Sequence, residues 1–477
     1  MLEVRLLRLE YSSFCRVISL VTILYSYSIC GPVYFNYYYA PGELMSIKKT
    51  IKKAIPESTF KAIEPYGHLG ETAFQQVKQG FPAKDLKIIG VTGTNGKTTT
   101  CFMIHKMLVN AGVKAGLMTT VAYGVGDDLH PQIEHMTTVP SAVLLKRLKN
   151  MKSRGVEWVV LETTSHAMAQ HRTWGIDYSI AVMTNVTHEH LDYHGTFANY
   201  LKAKVGMFKQ ANKNKNGLQL GVINDDDPNS DAFSDAINNS VTYGIDSGDL
   251  RTSNVKLSPA GARYTAKVGN ETYNIITHIP GKFNVYNSLA AVVVGRAVRL
   301  SKVQIEQGIA ALNGVEGRMT RIDLGQDFDV IVDFAHTPDS FEKLFKDLKP
   351  VVKGNLIVMF GSAGRRDEAK RAVQGGLAGK YADIVVVTEE DDRDIDGVRI
   401  MEEIAAAAIT EGKVKNKDIF LVHDRSEAIK FAIKTAKKGD TVLLLGKGHE
   451  KTIERADGEH DWDEIGLARK ILTKVRK

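Results

Sequence analysis

At 477 residues the chain is longer than one ordinary hydrophobic core organises, so two or three domains are expected. With 43% hydrophobic and 25% charged residues it reads as a soluble globular protein, and its formal charge of +7 comes from Lys and Arg interspersed with Asp and Glu. That spacing argues against a nucleic-acid groove and for a small anionic substrate such as a nucleotide. Cys15, Cys30 and Cys101 are an odd set at spacings that match no metal site, which indicates a reducing compartment and a cytoplasmic protein.

Residues 1–44 differ from the rest. FCRVISLVTILYSYSICGPVYF is rich in aromatic and β-branched residues, and a start-like MSIKK follows at Met45. Glu3 and Glu10 spoil the basic region of a signal peptide, and no small-residue cleavage site follows. The uncharged run from Val17 to Cys30 is shorter than the ~20 residues a spanning helix needs, so stable membrane insertion is not expected. Translation is expected to begin at Met45, with 45–85 a short N-terminal segment.

From Leu86 strand-like segments alternate with amphipathic helices, the pattern of a parallel sheet covered on both faces. The strand KIIGV runs into GVTGTNGKTTT and then into the helix-like TTTCFMIHKML. Gly93, Thr94, Asn95 and Gly96 form a turn whose amides can approach phosphate oxygens, and the helix N-terminus favours the anion. Lys97 is suited to neutralise the terminal phosphates and Thr98 to ligand Mg²⁺, with Thr99 beside it. Val91 replaces the usual first glycine of the phosphate-loop pattern, so the motif is a variant.

WVVLE is a second buried strand. It places Glu162 at its carboxyl end, where a carboxylate can bind hydrated Mg²⁺ beside phosphates, and His166, Gln170 and Arg172 follow. IAVMTNV is a third strand and leads into THEHLDYHG. His188, His190 and His194 with Asp192 are compatible with a transition-metal site, with Mg²⁺ taking one imidazole, or with a polar turn, and the phosphate-directed neighbours favour Mg²⁺. The carboxylates of NDDDP, Asn224 to Pro228, contact a nucleotide or shape a turn. Between Gly217 and Pro280 short alternating segments such as GARYTAKV and ETYNIITHI predict antiparallel strands inserted in or flanking the sheet, and the helix NVYNSLAAVVVGRAVRL closes the domain.

After Gly317 a second series begins. VIVDF, NLIVMFG, DIVVVTE and TVLLLG are strands, and SFEKLFKDL, VRIMEEIAAAAI and SEAIKFAIKTAKK are the helices between them, giving a smaller doubly wound α/β domain. Asp333 stands at a strand end suited to a ribose hydroxyl, with His336 just after it. GSAGRRDEAKR, with Arg365 and Arg366, and GKGHE are further anion-binding turns. Three such turns in one domain point to a cleft.

Together GTNGKTTT, TNVTHEHLDYHG, GKFNVYNSLAA, GVEGRM, DFAHTPDS and GKGHE resemble the Mur ligase family, the ATP-dependent amino-acid ligases of peptidoglycan synthesis, and are most similar to its third-amino-acid-adding branch. The match runs from about Ile88 to the C-terminus. It implies an α/β fold with a P-loop-type central ATPase domain on a parallel sheet, 86–315, and a Rossmann-like C-terminal domain, 316–477, with the uridine-binding N-terminal domain reduced or absent.

By that similarity Gly93 to Thr99 bind ATP, and Thr98, Glu162, His190 and Lys204 serve two Mg²⁺ sites, Lys204 as a carbamate. Lys97, Glu162, His190 and Lys204 carry the catalysis. Asn284, Arg318, Asp333 and His336 fall at nucleotide-binding positions. Thr137, Thr138, Thr164, Gln170 and Arg172 match positions that hold a UDP-MurNAc-dipeptide-like substrate. Asp391, Arg393, Gly446 and Glu450 match positions for the incoming amino acid. The implied reaction activates a carboxylate as an acyl phosphate, which an amine then attacks, in a protein expected to be monomeric and without nucleic-acid partners.

Two departures stand out. Only Met45 to Asp85 precede the ATPase domain where the family carries a whole uridine-gripping domain, so a related ligase acting on a non-UDP or folate-like substrate is the alternative. Diaminopimelate-adding members carry DNPR where this chain has Asp391-Asp392-Arg393, which leaves diaminopimelate, lysine and ornithine open. A nucleotide-binding scaffold without catalysis is the rival from another class, disfavoured by intact Lys97, Glu162, His190 and Lys204.

Overall fold

The computed structural model describes residues 57–475 except 133, 135, 259 and 366. The apolar segment 1–44 and its expected start at Met45 lie outside the described residues, as does Arg366.

The chain enters through helix α1 (Glu57–Gln79), which, with the turn that follows it, packs on the later helix Ser141–Ser153. Then comes β1 (Lys87–Thr92), α2 (Lys97–Asn110), the hairpin strands β2 (Ala115–Met118), β3 (Ala122–Val125) and β4 (Asp128–Pro131), and α3 (Ser141–Ser153). Next follow β5 (Trp158–Glu162), α4 (Ser165–Ala169), β6 (Tyr178–Met183), the single turn α5 (Leu191–His194) and α6 (Phe197–Lys213). The first half ends with β7 (Leu220–Asn224), α7 (Ser230–Ser234), β8 (Asn239–Gly244), β9 (Leu250–Ser258), β10 (Gly261–Val268), β11 (Glu271–Thr277), α8 (Lys282–Ala297) and α9 (Lys302–Ala310).

These strands form one eleven-stranded sheet in the order β11-β10-β9-β8-β7-β6-β1-β5-β2-β3-β4. β1, β5, β6 and β7 run parallel and are buried almost throughout, which is why they read as uninterrupted apolar runs. Their carboxyl ends share one edge, and each apolar run stops there: at Thr92, Glu162, Met183 and Asn224. The segment expected to insert in or flank the sheet flanks it, extending one edge. β8 joins β7 in parallel, β9 joins β8 in parallel, and only β9, β10 and β11 pair antiparallel. β9 is buried only at Leu250 and is otherwise half-buried or exposed, as a strand with a solvent-facing side is.

The second half contains β12 (Thr320–Ile322), β13 (Asp329–Asp333), α10 (Pro338–Leu348), β14 (Leu356–Phe360), α11 (Ala369–Tyr381), β15 (Ile384–Val387) and α12 (Gly397–Thr410). After them come β16 (Ile419–Leu421), α13 (Arg425–Thr435), β17 (Thr441–Leu445), a small hairpin of β18 (Thr452–Arg455) and β19 (Gly458–Asp461), and α14 (Glu464–Val475). Six strands pair in the order β12-β13-β17-β14-β15-β16, all parallel except the β12–β13 pair. Helices lie on both faces, so the α/β class and the doubly wound second sheet read from the sequence are what the chain forms.

The two sheets share buried apolar contacts. Ala290 and Val293 of α8 belong to the same cluster as Phe341 and Phe345 of α10. Polar contacts reinforce that junction: Phe283 N–H donates to Asp347 at 3.2 Å, and Asn95 donates its amide to Asp339 at 2.8 Å.

Candidate active site

β1 ends where Gly93 must turn the chain toward α2. Gly93 has φ +150°, and a Cβ there would sit 1.9 Å from the Thr184 hydroxyl; Gly96, with φ +83°, would meet Asn287 Oδ1 at 2.3 Å. Both positions therefore require glycine. The loop between them is held from outside. Thr94 N–H donates to Asn185 O at 2.7 Å, and Asn95 N–H to Asn185 Oδ1 at 3.0 Å. The Thr184 hydroxyl and the Asn185 amide donate to Asn95 O at 2.7 and 2.9 Å. The Thr94 hydroxyl lies 2.8 Å from the Tyr200 hydroxyl.

Two lysines converge on this loop. Lys97 Nζ donates to the carbonyls of Gly93 and Thr94 at 3.1 and 2.7 Å, and Lys204 Nζ reaches the same Gly93 carbonyl at 2.5 Å. Lys204 is buried, and its ammonium lies 4.5 Å from the Tyr200 ring centroid. Burial first, then the neighbouring Lys97, pushes the Lys204 amine well below the ordinary lysine range, while Glu189 pulls the other way.

Glu162, at the end of β5, is 1% exposed. Its carboxylate accepts from the Thr98 hydroxyl at 3.0 and 3.1 Å, and from the Thr120 amide and hydroxyl at 3.0 and 3.1 Å. Thr98 and Glu162 thus form a pair of hard oxygen donors at the mouth of the phosphate loop, a donor set suited to Mg²⁺.

The histidines gather on the far side of Tyr200. His190, in a left-handed conformation with φ 55°, sets its ring 4.6 Å edge-on to His166 and 6.1 Å from Tyr200. Its Nε2 is 3.6 Å from Glu189. His194 contacts the Ser165 hydroxyl at 3.0 Å, and His188 stacks on Phe197 with centroids 4.5 Å apart. The side chain of Asp192 lies outside the described residues. Among the described residues the three-ligand group that clusters tightly is elsewhere: Glu389, Asp392 and His423, within 4.8 Å. Glu389 is already committed there, since Arg455 pairs with both its oxygens at 2.7 and 2.8 Å.

The expected substrate residues of the first sheet come together. The Thr138 hydroxyl donates to Glu162 O at 2.9 Å and accepts from Thr164 N–H at 3.0 Å. Arg172 donates to Thr138 O at 2.6 Å and to the Gln170 side chain at 2.8 Å. Thr137, half-buried, adjoins this network. Of NDDDP, Asp226 and Asp227 are turn-formers: Asp226 collects Ile245, Asp246 and Ser247 amides, and Asp227 accepts from Val186 N–H at 2.7 Å.

From the second sheet, Arg318 lies over Phe334 at 4.6 Å, with the carboxylates of Asp333 and, from the first sheet, Glu162 in its electrostatic surroundings. Burial works against both Arg318 and Asp333, which their mutual attraction opposes. Asp333 accepts from Met319 and Ala335 amides at 2.7 and 2.8 Å, and the His336 ring folds back to Phe334 O at 2.8 Å. Asn284 differs in setting from the rest. Its amide is turned inward, donating to Pro280 O at 2.6 Å and accepting from Asn287 at 2.8 Å, so in this state it braces α8.

The amino-acid candidates gather in a charged cluster. Lys447 is buried and pairs with Asp391 at 2.9 Å and Glu450 at 2.6 Å, and Gly446 faces the Glu390 carboxylate. Arg393 is held by Glu454 at 2.7 Å and by Gly364 O at 2.5 Å. Arg365 pairs with exposed Asp394 instead of lining an anion turn.

Sequence reasoning missed Thr120, Asn185, Tyr200, Asn287 and Asp339, all of which touch the loop or Glu162. Thr120 and Asn185 followed strands and carried the same strand-end signal as Glu162; Asn287 and Asp339 lay inside the motifs GKFNVYNSLAA and DFAHTPDS, and Tyr200 gave no signal.

A glycine-rich loop between a buried parallel strand and a helix, with Thr98, Glu162 and two lysines at it, is the arrangement of a nucleotide-dependent α/β enzyme. Residues 91–295 match the family model described as the Mur ligase middle domain, and 317–448 the one described as the Mur ligase glutamate ligase domain. The chain is 39% identical to a UDP-N-acetylmuramyl-tripeptide synthetase of Roseiflexus sp. (strain RS-1), covering 83% of this chain and 80% of that protein. It is 38% identical to a UDP-N-acetylmuramoyl-L-alanyl-D-glutamate–2,6-diaminopimelate ligase of Geobacillus thermodenitrificans, covering 83% and 81%. A solved structure of a ligase with the latter title superposes with a TM-score of 0.62 at 29% identity, covering 87% of this chain and 83% of that one. The chain belongs to the Mur ligase family and is a ligase of the ATP-dependent kind.

Proposed function

We propose that this protein adds the third amino acid, diaminopimelate, lysine or a similar diamino acid, to UDP-MurNAc-L-Ala-D-Glu in peptidoglycan precursor synthesis, using ATP to activate the carboxylate as an acyl phosphate. The observation that carries the reading is the convergence of Lys97 and Lys204 on one carbonyl of the phosphate loop, next to the Thr98–Glu162 pair.

Each group has work in that reaction. Loop amides and Lys97 bind the triphosphate and neutralise charge as the substrate carboxylate attacks the γ-phosphorus and ADP leaves. The amine of the amino acid then attacks the acyl carbon, the C–O bond to phosphate breaks, and the amine proton is released to solvent. Arg318, lent from the second sheet, adds positive charge and helps exclude water from the acyl phosphate. Thr138, Thr164, Gln170 and Arg172 position the peptide, and the Lys447-centred cluster of Asp391, Gly446 and Glu450, with Arg393, receives the amino acid.

We propose two Mg²⁺ sites: Thr98 and Glu162, whose oxygens are in contact and fit such an ion, would hold one, and His190 with a carbamylated Lys204 the other. Bound there, the ions would supply Lewis-acid charge neutralisation. The downward shift of the Lys204 amine is in the direction a carbamate requires, since the unprotonated amine is the form that adds CO₂, releasing one proton to leave a carbamate anion. We place the central domain at 86–315 and the C-terminal domain at 316–477, and read the protein as a cytoplasmic monomer. No described helix is long and apolar enough to cross a membrane.

The test is phosphate release from ATP by the purified chain, with UDP-MurNAc-L-Ala-D-Glu and a panel of amino acids. Release only when both acceptor and a diamino acid are present supports the reading. Release that ignores either of them, or that proceeds equally with a dipeptide lacking UDP, contradicts it.

A further inference from the structure

We infer that Asp339 is a positioning residue that seats the C-terminal half on the phosphate loop and so brings Arg318 to the phosphates; the inference rests on the ligase reading above. Asp339 lies in the first turn of α10, where an acid is ordinarily explained by the helix dipole. That turn is already capped without it. Thr337 and Ser340 form a capping box, and Pro338 occupies a position with no amide to satisfy. Asp339 instead points one oxygen, Oδ2, across the junction. It accepts from Asn95 Nδ2 at 2.8 Å and from the Thr187 hydroxyl at 3.3 Å, while Lys343 of its own helix donates at 3.0 Å.

Asn95 is the joint. Its backbone is gripped by Thr184 and Asn185 of the central half, and its side-chain amide is given to the C-terminal half. Further along α10, Asp347 accepts from Phe283 N–H at the start of α8. The helix is thus fastened at two points, one of them on the phosphate loop. A carboxylate beside a loop that takes a triphosphate opposes anion binding through space. Removing it should therefore leave nucleotide affinity intact or better while slowing the step that needs the closed arrangement.

Asp339→Ala should lower kcat roughly tenfold, the worth of one charge-assisted hydrogen bond, with the KM for ATP unchanged or lower. Asp339→Asn keeps an acceptor for Asn95 and should recover most of kcat. Lys343→Ala, which leaves the Asn95 contact in place, should match wild type. Small-angle X-ray scattering with a non-hydrolysable ATP analogue gives a readout independent of turnover: Asp339→Ala should show the larger radius of gyration. Wild-type kcat in Asp339→Ala, equal loss in Asp339→Asn, equal loss in Lys343→Ala, or an unchanged radius of gyration would each overturn the inference. If no ligase activity is found at all, the scattering comparison still decides it.

Discussion

Replacing Gly93 by alanine puts one methyl group into the tightest corner of the phosphate loop. The added Cβ would lie 1.9 Å from Thr184 Oγ1 and 3.0 Å from Asn185 O, at a backbone angle of +150° that side chains rarely adopt. Backbone strain there costs about 1–3 kcal/mol. Thr184 must also give up its 2.7 Å bond to Asn95 O, a further loss of about 1–2 kcal/mol. The sum, about 2–5 kcal/mol, is a large part of the ordinary stability of a domain. We expect Gly93→Ala to unfold on the order of 10 °C earlier in a thermal melt and to lose at least about 100-fold in ATP-dependent phosphate release, since a 1 Å shift of a positioning element has that effect. Gly93→Ala combined with Thr184→Ala relieves the collision and should regain part of the stability but not the activity. A single variant with wild-type melting and turnover would refute the reasoning.

Lys204→Ala should lower kcat by about 10²–10³-fold, the usual loss when one preorganised charge-stabilising group is removed, with partial rescue by formate or acetate. With metal and CO₂ stripped, the depressed Lys204 amine means the unfolded chain binds more protons above the folded-state pKa. The stability of the wild type then rises with pH toward the ordinary lysine range, and Lys204→Met flattens that slope in melts recorded across pH. Arg425 and Glu464 are buried and paired at 2.7 and 2.9 Å, so Glu464→Ala leaves a stranded guanidinium and should cost about 3–5 kcal/mol by denaturant unfolding, without touching the loop.

The sheets were legible from two patterns: buried parallel strands cannot alternate, and WVVLE and TVLLL coincide with β5 and β17, while the alternating GARYTAKV coincides with antiparallel β10. Phosphate-loop residues declare themselves by type, since only glycine, lysine and threonine do that work. Contacts closed by tertiary folding were not legible. Asp339 reaches a partner 244 positions away, and Tyr200 one 106 away, with no local pattern to betray either. Helix α11 went unread because Gly375, Gly376 and Gly379 disfavour helix. Two of them are there for packing: Gly375 and Gly379 lie against the backbone of α12, where a Cβ would come within 2.1 and 2.9 Å of it. Asn284 shows the converse. Its motif was plain, yet its amide is spent on Pro280 and Asn287.

Isotope tracing probes the chemistry assigned to this loop without intermediates having to be trapped. UDP-MurNAc-L-Ala-D-Glu carrying ¹⁸O in the reacting carboxylate is turned over with ATP and the preferred amino acid, and the released inorganic phosphate is analysed by mass. Activation through an acyl phosphate transfers one labelled oxygen to each phosphate formed. Unlabelled phosphate, with the displaced heavy oxygen found in water instead, would contradict it.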